Sequence, residues 1–348
     1  MVFRFPKPKP NFFSENYLNR HSAKRGDTEY INNLIQNPTT RYILFKDLNP
    51  LLKVLDKNNE VAFFNYSQIN QCFSEEKRTV PIFLGLDEET NISYFAIDVT
   101  QHINEHEPTL EKIISENKYE FLPMRPHTFA LTPTDAAIVA QGRAMADWNI
   151  RNTYCPACGK KMKIVDSGHK HVCPDSECYS NKHLNNYSYP RTDPVIIVLI
   201  IAKDGKKILL GRHKNWTKNM YSCIAGFIEP AESLEMAVKR EALEETGVIV
   251  EDVNFHSSQP WPFPNSLMFA CYAIAKDTTG EAEDAEELED YRWFTRQEVL
   301  DAMAESDGKD PRTSNIDESI PCNLRLPQAD AVAYRLISGW ALATRENL

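Results

Sequence analysis

The spacing of four cysteines constrains this chain more than any other feature of it. Cys155 and Cys158 are separated by two residues, Cys173 and Cys178 by four, and fourteen residues lie between the pairs. Two close pairs let two tight turns converge four thiolates on a tetrahedral ion, the arrangement zinc favours. Gly159 supports the turn after the first pair. Four sulfurs fill the coordination shell and leave no position for water. The expected ion is therefore a structural zinc, one per chain. Two disulfides are the alternative, and they require an oxidising compartment.

The basic N-terminus "MVFRFPKPKPNFF" has no apolar core of the kind a signal peptide needs, and three prolines in its first ten residues would break an amphipathic presequence helix. The longest apolar run, "PVIIVLIIA" at 194–202, has the length of a strand and not of a membrane span. These features point to an intracellular protein, with the cytoplasm as the default. With 39 basic against 49 acidic residues the net charge is −10, which disfavours a broad grip on nucleic acid or anionic membrane. Cys72, Cys223, Cys271 and Cys322 are scattered and read as buried thiols, and His169, His171 and His183 as surface or loop residues.

The length of 348 residues suits two or three domains. Residues 1–125 carry strand-like runs at 41–47, 60–66, 80–86 and 93–99, the pattern of a mostly β domain. A connecting helix over 126–150 follows, with Thr132 at its cap, Pro133 in its first turn, and Ile138, Met145 and Trp148 on one face. The cysteine cluster occupies 151–190. Over 191–348 the sequence predicts a hairpin (194–202 and 206–212, turning at Asp204-Gly205), a glutamate-rich helix (about 233–246), and strands at 266–275 and 287–294. A helix capped by Thr295 and Glu298, a polar loop at 305–320 and a final helix complete this region. The fold class is α+β: a mostly β N-terminal domain, a four-cysteine zinc ribbon and an α+β sandwich over 191–348.

The segment "GFIEPAESLEMAVKREALEETGV" (226–248) carries the chemistry. On a helix Glu241 and Glu245 lie one turn apart with Glu244 beside them, so three carboxylates crowd one face. A solvated acidic face is the commoner fate of such a run, whereas a bound cation would neutralise it. Gly247 is placed to end the helix in a left-handed cap. The fixed positions Gly226, Glu232, Arg240, Glu241, Glu244, Glu245 and Gly247 match the box of the Nudix hydrolases, and the chain resembles that family. The resemblance implies Mg²⁺- or Mn²⁺-dependent hydrolysis of a nucleoside diphosphate linked to another group. It implies Glu241, Glu244 and Glu245 as the catalytic, metal-binding cluster. The Ala225 carbonyl would be a further ligand and Glu287 the distal one; Glu286 and Glu289 are rivals for that distal role, since 281–290 holds seven acids.

Ten residues after the box stands "SQPWPFPNSLM" (258–268), none of whose three prolines can donate to a sheet ladder, so Pro260, Pro262 and Pro264 should not lie in a central strand. A four-cysteine cluster ahead of the box, with S-Q-P-W-P-F-P-x-S behind it, resembles the NADH pyrophosphatase branch of the family. The resemblance is specific from about residue 121 onward and fainter over "NYLNRHSAKR" (16–25). It implies hydrolysis of NADH or NAD to AMP and nicotinamide mononucleotide, with removal of NAD caps from RNA 5′ ends as the alternative, and a homodimer. It implies substrate contacts at Gln259, Pro260, Trp261, Pro262, Phe263, Pro264, Asn265 and Ser266, with Tyr189 stacking on a base, and at Arg125 and Ala333. The prolines would hold Trp261 and Phe263 in an extended loop. For Tyr189 ordinary packing is an equal reading, and for Arg125 a surface salt bridge is the readier one. The ending "RENL" loosely resembles a peroxisomal address.

Overall fold

The protein was examined as a computed structural model that describes residues 9–55, 58–73, 79–104, 107–184, 187–276, 282, 287–306 and 324–343. It forms two compact units. One comprises Phe13–Thr192 together with Pro262–Asn265; the other comprises Met1–Phe12, Asp193–Trp261 and Ser266–Leu348.

The first unit is built on a six-stranded sheet. Its strands are β1 (Arg41–Lys46), β2 (Asn49–Val54), β3 (Asn59–Val61), β4 (Ile82–Asp87), β5 (Ile92–Asp98) and β6 (Tyr119–Phe121), in the order β3-β2-β1-β5-β4 with β6 on β2. β1 pairs in parallel with β5, and the apolar residues Leu44, Phe83, Phe95 and Ile97 fill a core that helices close. These helices are α1 (Thr28–Gln36), α2 (Tyr66–Cys72), α3 (Thr100–Asn104), α4 (Pro108–Asn117) and the short α5 (Met124–His127). The strand expected over 60–66 is therefore cut short. Asn65 and Gln68 exchange hydrogen bonds of 3.0 and 2.9 Å in a capping box, which commits the following residues to α2. Helix α6 (Pro133–Arg151) starts later than the expected 126, because Met124–His127 form α5 and Thr128–Ala130 a 3-10 turn, and it ends one residue past the expected 150. The Thr132 hydroxyl accepts from Asp135 N at 3.1 Å, and Ile138, Met145 and Trp148 are all buried. Strands β7 (Lys163–Val165), β8 (Lys170–Val172) and β9 (Tyr187–Ser188) form a small sheet within the cysteine region.

The second unit is a sheet covered on both faces. Its strands β10 (Asp193–Ile201), β11 (Lys207–His213), β12 (Ile224–Phe227), β13 (Val250–Trp261), β14 (Ser266–Ala275) and β15 (Leu288–Thr295) run in the order β13-β14-β10-β11-β15, with β12 also on β10. Alternation along β10 divides the core. Ile196, Val198 and Ile200 pack with Ala237, Val238 and Ala242 of helix α7 (Leu234–Thr246). Ile197, Leu199 and Ile201 pack with Val299 of α8 (Arg296–Ser306) and with Leu336, Ile337 and Trp340 of α9 (Val332–Leu342). Burial on both faces explains why this strand reads as an unbroken apolar run. The layers are those of an α/β/α sandwich.

The sequence pattern does not announce strand β13. It occupies the sheet edge, which is why Pro260 is tolerated within it. The proline-rich segment is accordingly part strand and part turn, not a single extended loop, with Pro262–Asn265 turning the chain into β14. Beyond Ser306 the polar stretch expected to be a loop lies outside the described residues, as do Cys322, Glu286 and the "RENL" ending.

Candidate active site and metal centres

Helix α7 begins where the Ser233 hydroxyl accepts from Met236 N at 3.3 Å, and it ends at Gly247 in the left-handed conformation, φ 66°. Between these caps Arg240 organises the carboxylates. Its Nε and Nη2 both donate to Glu232, at 2.9 Å each, and Nη1 donates to Glu241 at 2.8 Å and Glu244 at 3.0 Å. Nη2 also reaches the Phe227 carbonyl at 2.9 Å, tying the helix to β12. The bidentate bond from Arg240 is the main reason the Glu232 carboxyl titrates below the usual carboxylate range.

Glu241 and Glu245 are buried, while Glu244 is partly open to solvent. Burial pushes the Glu241 carboxyl upward; Arg240 opposes the shift, and the charges of Glu244 and Glu287 add to it. One arginine thus faces more negative charge than it can neutralise. Glu241 reaches its place because residue 226 has no side chain: a Cβ there would lie 1.9 Å from Glu241 Oε1. Gly226 and Ala225 both sit in β12, opposite Ile196 and Ile197 of β10. Hard oxygen donors, burial and uncompensated charge together fit a divalent cation.

The distal acids separate. Glu287 acts electrostatically on Glu241, whereas Glu289 is ion-paired with Arg212. Glu286 lies outside the described residues.

The four cysteines of the expected cluster meet, each Sγ within 4.8 Å of the other three. Cys155 and Cys178 are 3.9 Å apart and Cys158 and Cys173 3.5 Å. Zinc–sulfur bonds of about 2.3 Å in a tetrahedron require sulfurs about 3.8 Å apart, so the geometry fits. Backbone N–H groups of Ala157, Cys158, Lys160, Asp175 and Ser180 point at the sulfurs and favour thiolates. Two of the histidines read as surface or loop residues are buried, His169 in a turn and His171 in β8. His169 Nε2 lies 2.6 Å from the Phe83 carbonyl, and His171 is held between Asn152 O and Asn149 Oδ1, each at 2.8 Å. Their burial comes from the sheet and helix they pack on, which the local sequence does not announce. His183 is exposed, and Cys72, Cys223 and Cys271 are buried, as expected.

Within the second unit Gln259 bonds to Asp330 and Val332, the residues leading into Ala333. Gln259 is fully buried; its amide donates to the carbonyls of Asp330 and Phe12 at 2.8 and 3.2 Å and accepts from Val332 N at 2.8 Å. These bonds lock β13 to the first turn of α9, where Ala333 is buried. Within the first unit Arg125 and Phe263 meet, the guanidinium 4.0 Å from the ring centroid. Tyr189 is exposed, with the Lys170 ammonium 5.8 Å from its ring centroid.

The NUDIX domain family matches residues 190–312, and the NADH pyrophosphatase-like rudimentary NUDIX domain matches 39–148. An NAD-capped RNA hydrolase of Schizosaccharomyces pombe is 37% identical over 373 residues, covering 97% of this chain and 95% of its own. The chain belongs to the Nudix hydrolase family. Two human relatives agree. NAD-capped RNA hydrolase NUDT12 is 36% identical, covering 95% of this chain and 73% of its own. The mitochondrial NAD(P)H pyrophosphatase NUDT13 is 33% identical over 77% of this chain and 69% of its own. The match at 39–148 gives the N-terminal sheet of this Nudix hydrolase an origin that its residues alone did not reveal.

Proposed function

We propose that this Nudix hydrolase cleaves the diphosphate of NADH or NAD with one water, giving AMP and nicotinamide mononucleotide, reduced when NADH is the substrate. Its similarity along nearly the whole chain to an NAD-capped RNA hydrolase carries the reading, because the carboxylate helix alone leaves the substrate open. We assign Mg²⁺ or Mn²⁺ to Glu241, Glu244, Glu245, Glu287 and the Ala225 carbonyl, and a structural zinc to Cys155, Cys158, Cys173 and Cys178. A bound divalent ion would neutralise phosphate oxygens and make a water more acidic. The protein's own part is to hold the carboxylates in register. Arg240 fixes Glu241 and Glu244 from one side, and Gly226 lets Glu241 approach β12.

Substrate contacts are assigned to Tyr189, Ala333 and the segment from Pro260 to Ser266. Gln259, whose donors and acceptor are taken up inside the protein, is assigned the role of holding that segment. Incubation with NADH, NAD, ADP-ribose and coenzyme A plus Mg²⁺ or Mn²⁺ tests the proposal. The expected products from NADH are AMP and reduced nicotinamide mononucleotide, abolished by Glu245→Gln. Equal turnover of ADP-ribose would refute the substrate and leave the chemistry standing.

Removal of NAD caps from RNA is the second reading, favoured by the names of two relatives. The net charge of −10 predicts weak affinity for the RNA body, so capped RNA should gain little over free NAD. No helix among the described residues is long and apolar enough to cross a membrane. A homodimer in the cytoplasm is the proposed state, with the peroxisome as the alternative suggested by the Asn-Leu ending. Light scattering and a fluorescent fusion lacking the last three residues test these.

A further inference from the structure

The turn Pro262–Asn265 belongs to the first compact unit, although both strands it joins belong to the second. Its composition creates a specific need. Pro262 and Pro264 have no N–H, so half of this turn's residues offer the backbone only a carbonyl oxygen, and those oxygens find their donors outside the turn. Helix α6 supplies them. Arg143 Nη1 donates to the Pro262 carbonyl at 2.8 Å and the Pro264 carbonyl at 3.1 Å. One turn further along the same helix face, buried Asp147 accepts from Asn265 Nδ2 at 3.0 Å. Asp147 is itself fixed by Arg151, whose Nε lies 2.9 Å from both carboxylate oxygens. Between these anchors the Phe263 ring lies under the Arg125 guanidinium, with the Phe13 ring edge-on at 6.3 Å.

We propose that Arg143 and Asp147 are positioning residues for the substrate-contacting turn, setting where Pro262–Asn265 lies and hence where the flanking Trp261 and Ser266 are presented. The inference rests on the proposed function, which places substrate at this segment. Both bonds leave one nitrogen, Nη1, whose two N–H groups are fixed in the guanidinium plane, whereas the N–H groups of an ammonium rotate freely. Loss of those bonds loosens a contact surface without touching the carboxylates on α7. The effect should therefore fall on substrate binding and not on chemistry.

The test compares the full-length wild type with Arg143→Ala, Arg143→Lys and Asn265→Ala. Its measurements are kcat and KM for NADH and for ADP-ribose, the thermal midpoint, and amide hydrogen exchange over residues 261–268. In Arg143→Ala, KM for NADH should rise about tenfold with kcat within about twofold, as expected when an ordered loop must pay its ordering cost on binding. Exchange at the Phe263 and Asn265 amides should accelerate, and Arg143→Lys should fall between wild type and Arg143→Ala. Unchanged KM and exchange in a folded Arg143→Ala would overturn the proposal. So would a loss of kcat that tracks the thermal midpoint equally in the alanine and lysine variants. A wild type that turns over ADP-ribose and not NADH refutes the substrate assignment, and the KM comparison with ADP-ribose then decides positioning. If neither is turned over, the exchange rates decide it.

Discussion

Gly226 and Glu241 approach so closely that a methyl group on residue 226 would lie 1.9 Å from Glu241 Oε1 and 2.0 Å from its carboxyl carbon. The obstructed group is the far end of a side chain and not backbone, so Gly226→Ala should leave the fold intact and displace the carboxylate. Activity with Mg²⁺ should fall about tenfold to a hundredfold, the range seen when a ligand loses its support. The thermal midpoint should drop by only a few degrees, as for a change of about 1 kcal/mol. Steady-state kinetics beside a thermal melt would check this, and equal losses in both would contradict it.

Arg240 is the positive centre of a cluster that includes Glu232, Glu241 and Glu244. Removing it leaves carboxylates facing one another, and Arg240→Ala should cost about 2 kcal/mol after allowance for partial exposure. A cation binding the same carboxylates would restore part of that loss. The midpoint gained on replacing EDTA by saturating Mg²⁺ should therefore be larger in Arg240→Ala than in wild type. An equal gain would separate the arginine from the metal site.

The elements whose signals are local were legible in the sequence, and those decided by distant partners were not. Helix α7, its Ser233 and Gly247 ends, and the apolar β10 follow from spacing within one segment. The convergence of the four cysteines follows likewise from two short intervals. Strand β13 escaped notice because its edge position leaves mixed burial and no clean alternation. Gln259 was expected to face substrate, yet its bonds go to Phe12, Asp330 and Val332, residues remote in sequence. Arg143 and Asp147 left one usable trace, charges at i and i+4 with Arg151 at i+8 on a helix whose buried residues are mostly apolar.

His169 supplies a pH dependence. Burial, the largest cause, and the nearby charges of Arg25 and Arg20 lower its pKa to about 4, against the pull of the Phe83 carbonyl. The folded state thus keeps the imidazole neutral over a range where the unfolded chain, near its ordinary value of about 6.5, takes up a proton. Stability from this group is full above about pH 6.5 and is lost as the pH falls towards 4, amounting to about 2 kcal/mol by pH 5. Urea unfolding at pH 7 and pH 5 should show that difference in wild type. In His169→Gln it should shrink; an unchanged difference would assign the acid sensitivity elsewhere.

The two proposed metal centres should be separable. The cysteine cluster lies in the first unit and the carboxylate cluster in the second, so neither set of ligands depends chemically on the other. Purified protein should carry one tightly held zinc per chain, measured by elemental analysis after dialysis against a weak chelator. Glu245→Gln should keep that zinc while losing hydrolysis. Cys173→Ser should lose it, because three sulfurs and a hydroxyl bind far less tightly than four thiolates, and the loss should lower the thermal midpoint of the first unit. Added Mg²⁺ should restore neither the zinc nor the midpoint in Cys173→Ser, since a hard cation has little affinity for thiolates. Full zinc content in Cys173→Ser would show that the ion is held elsewhere.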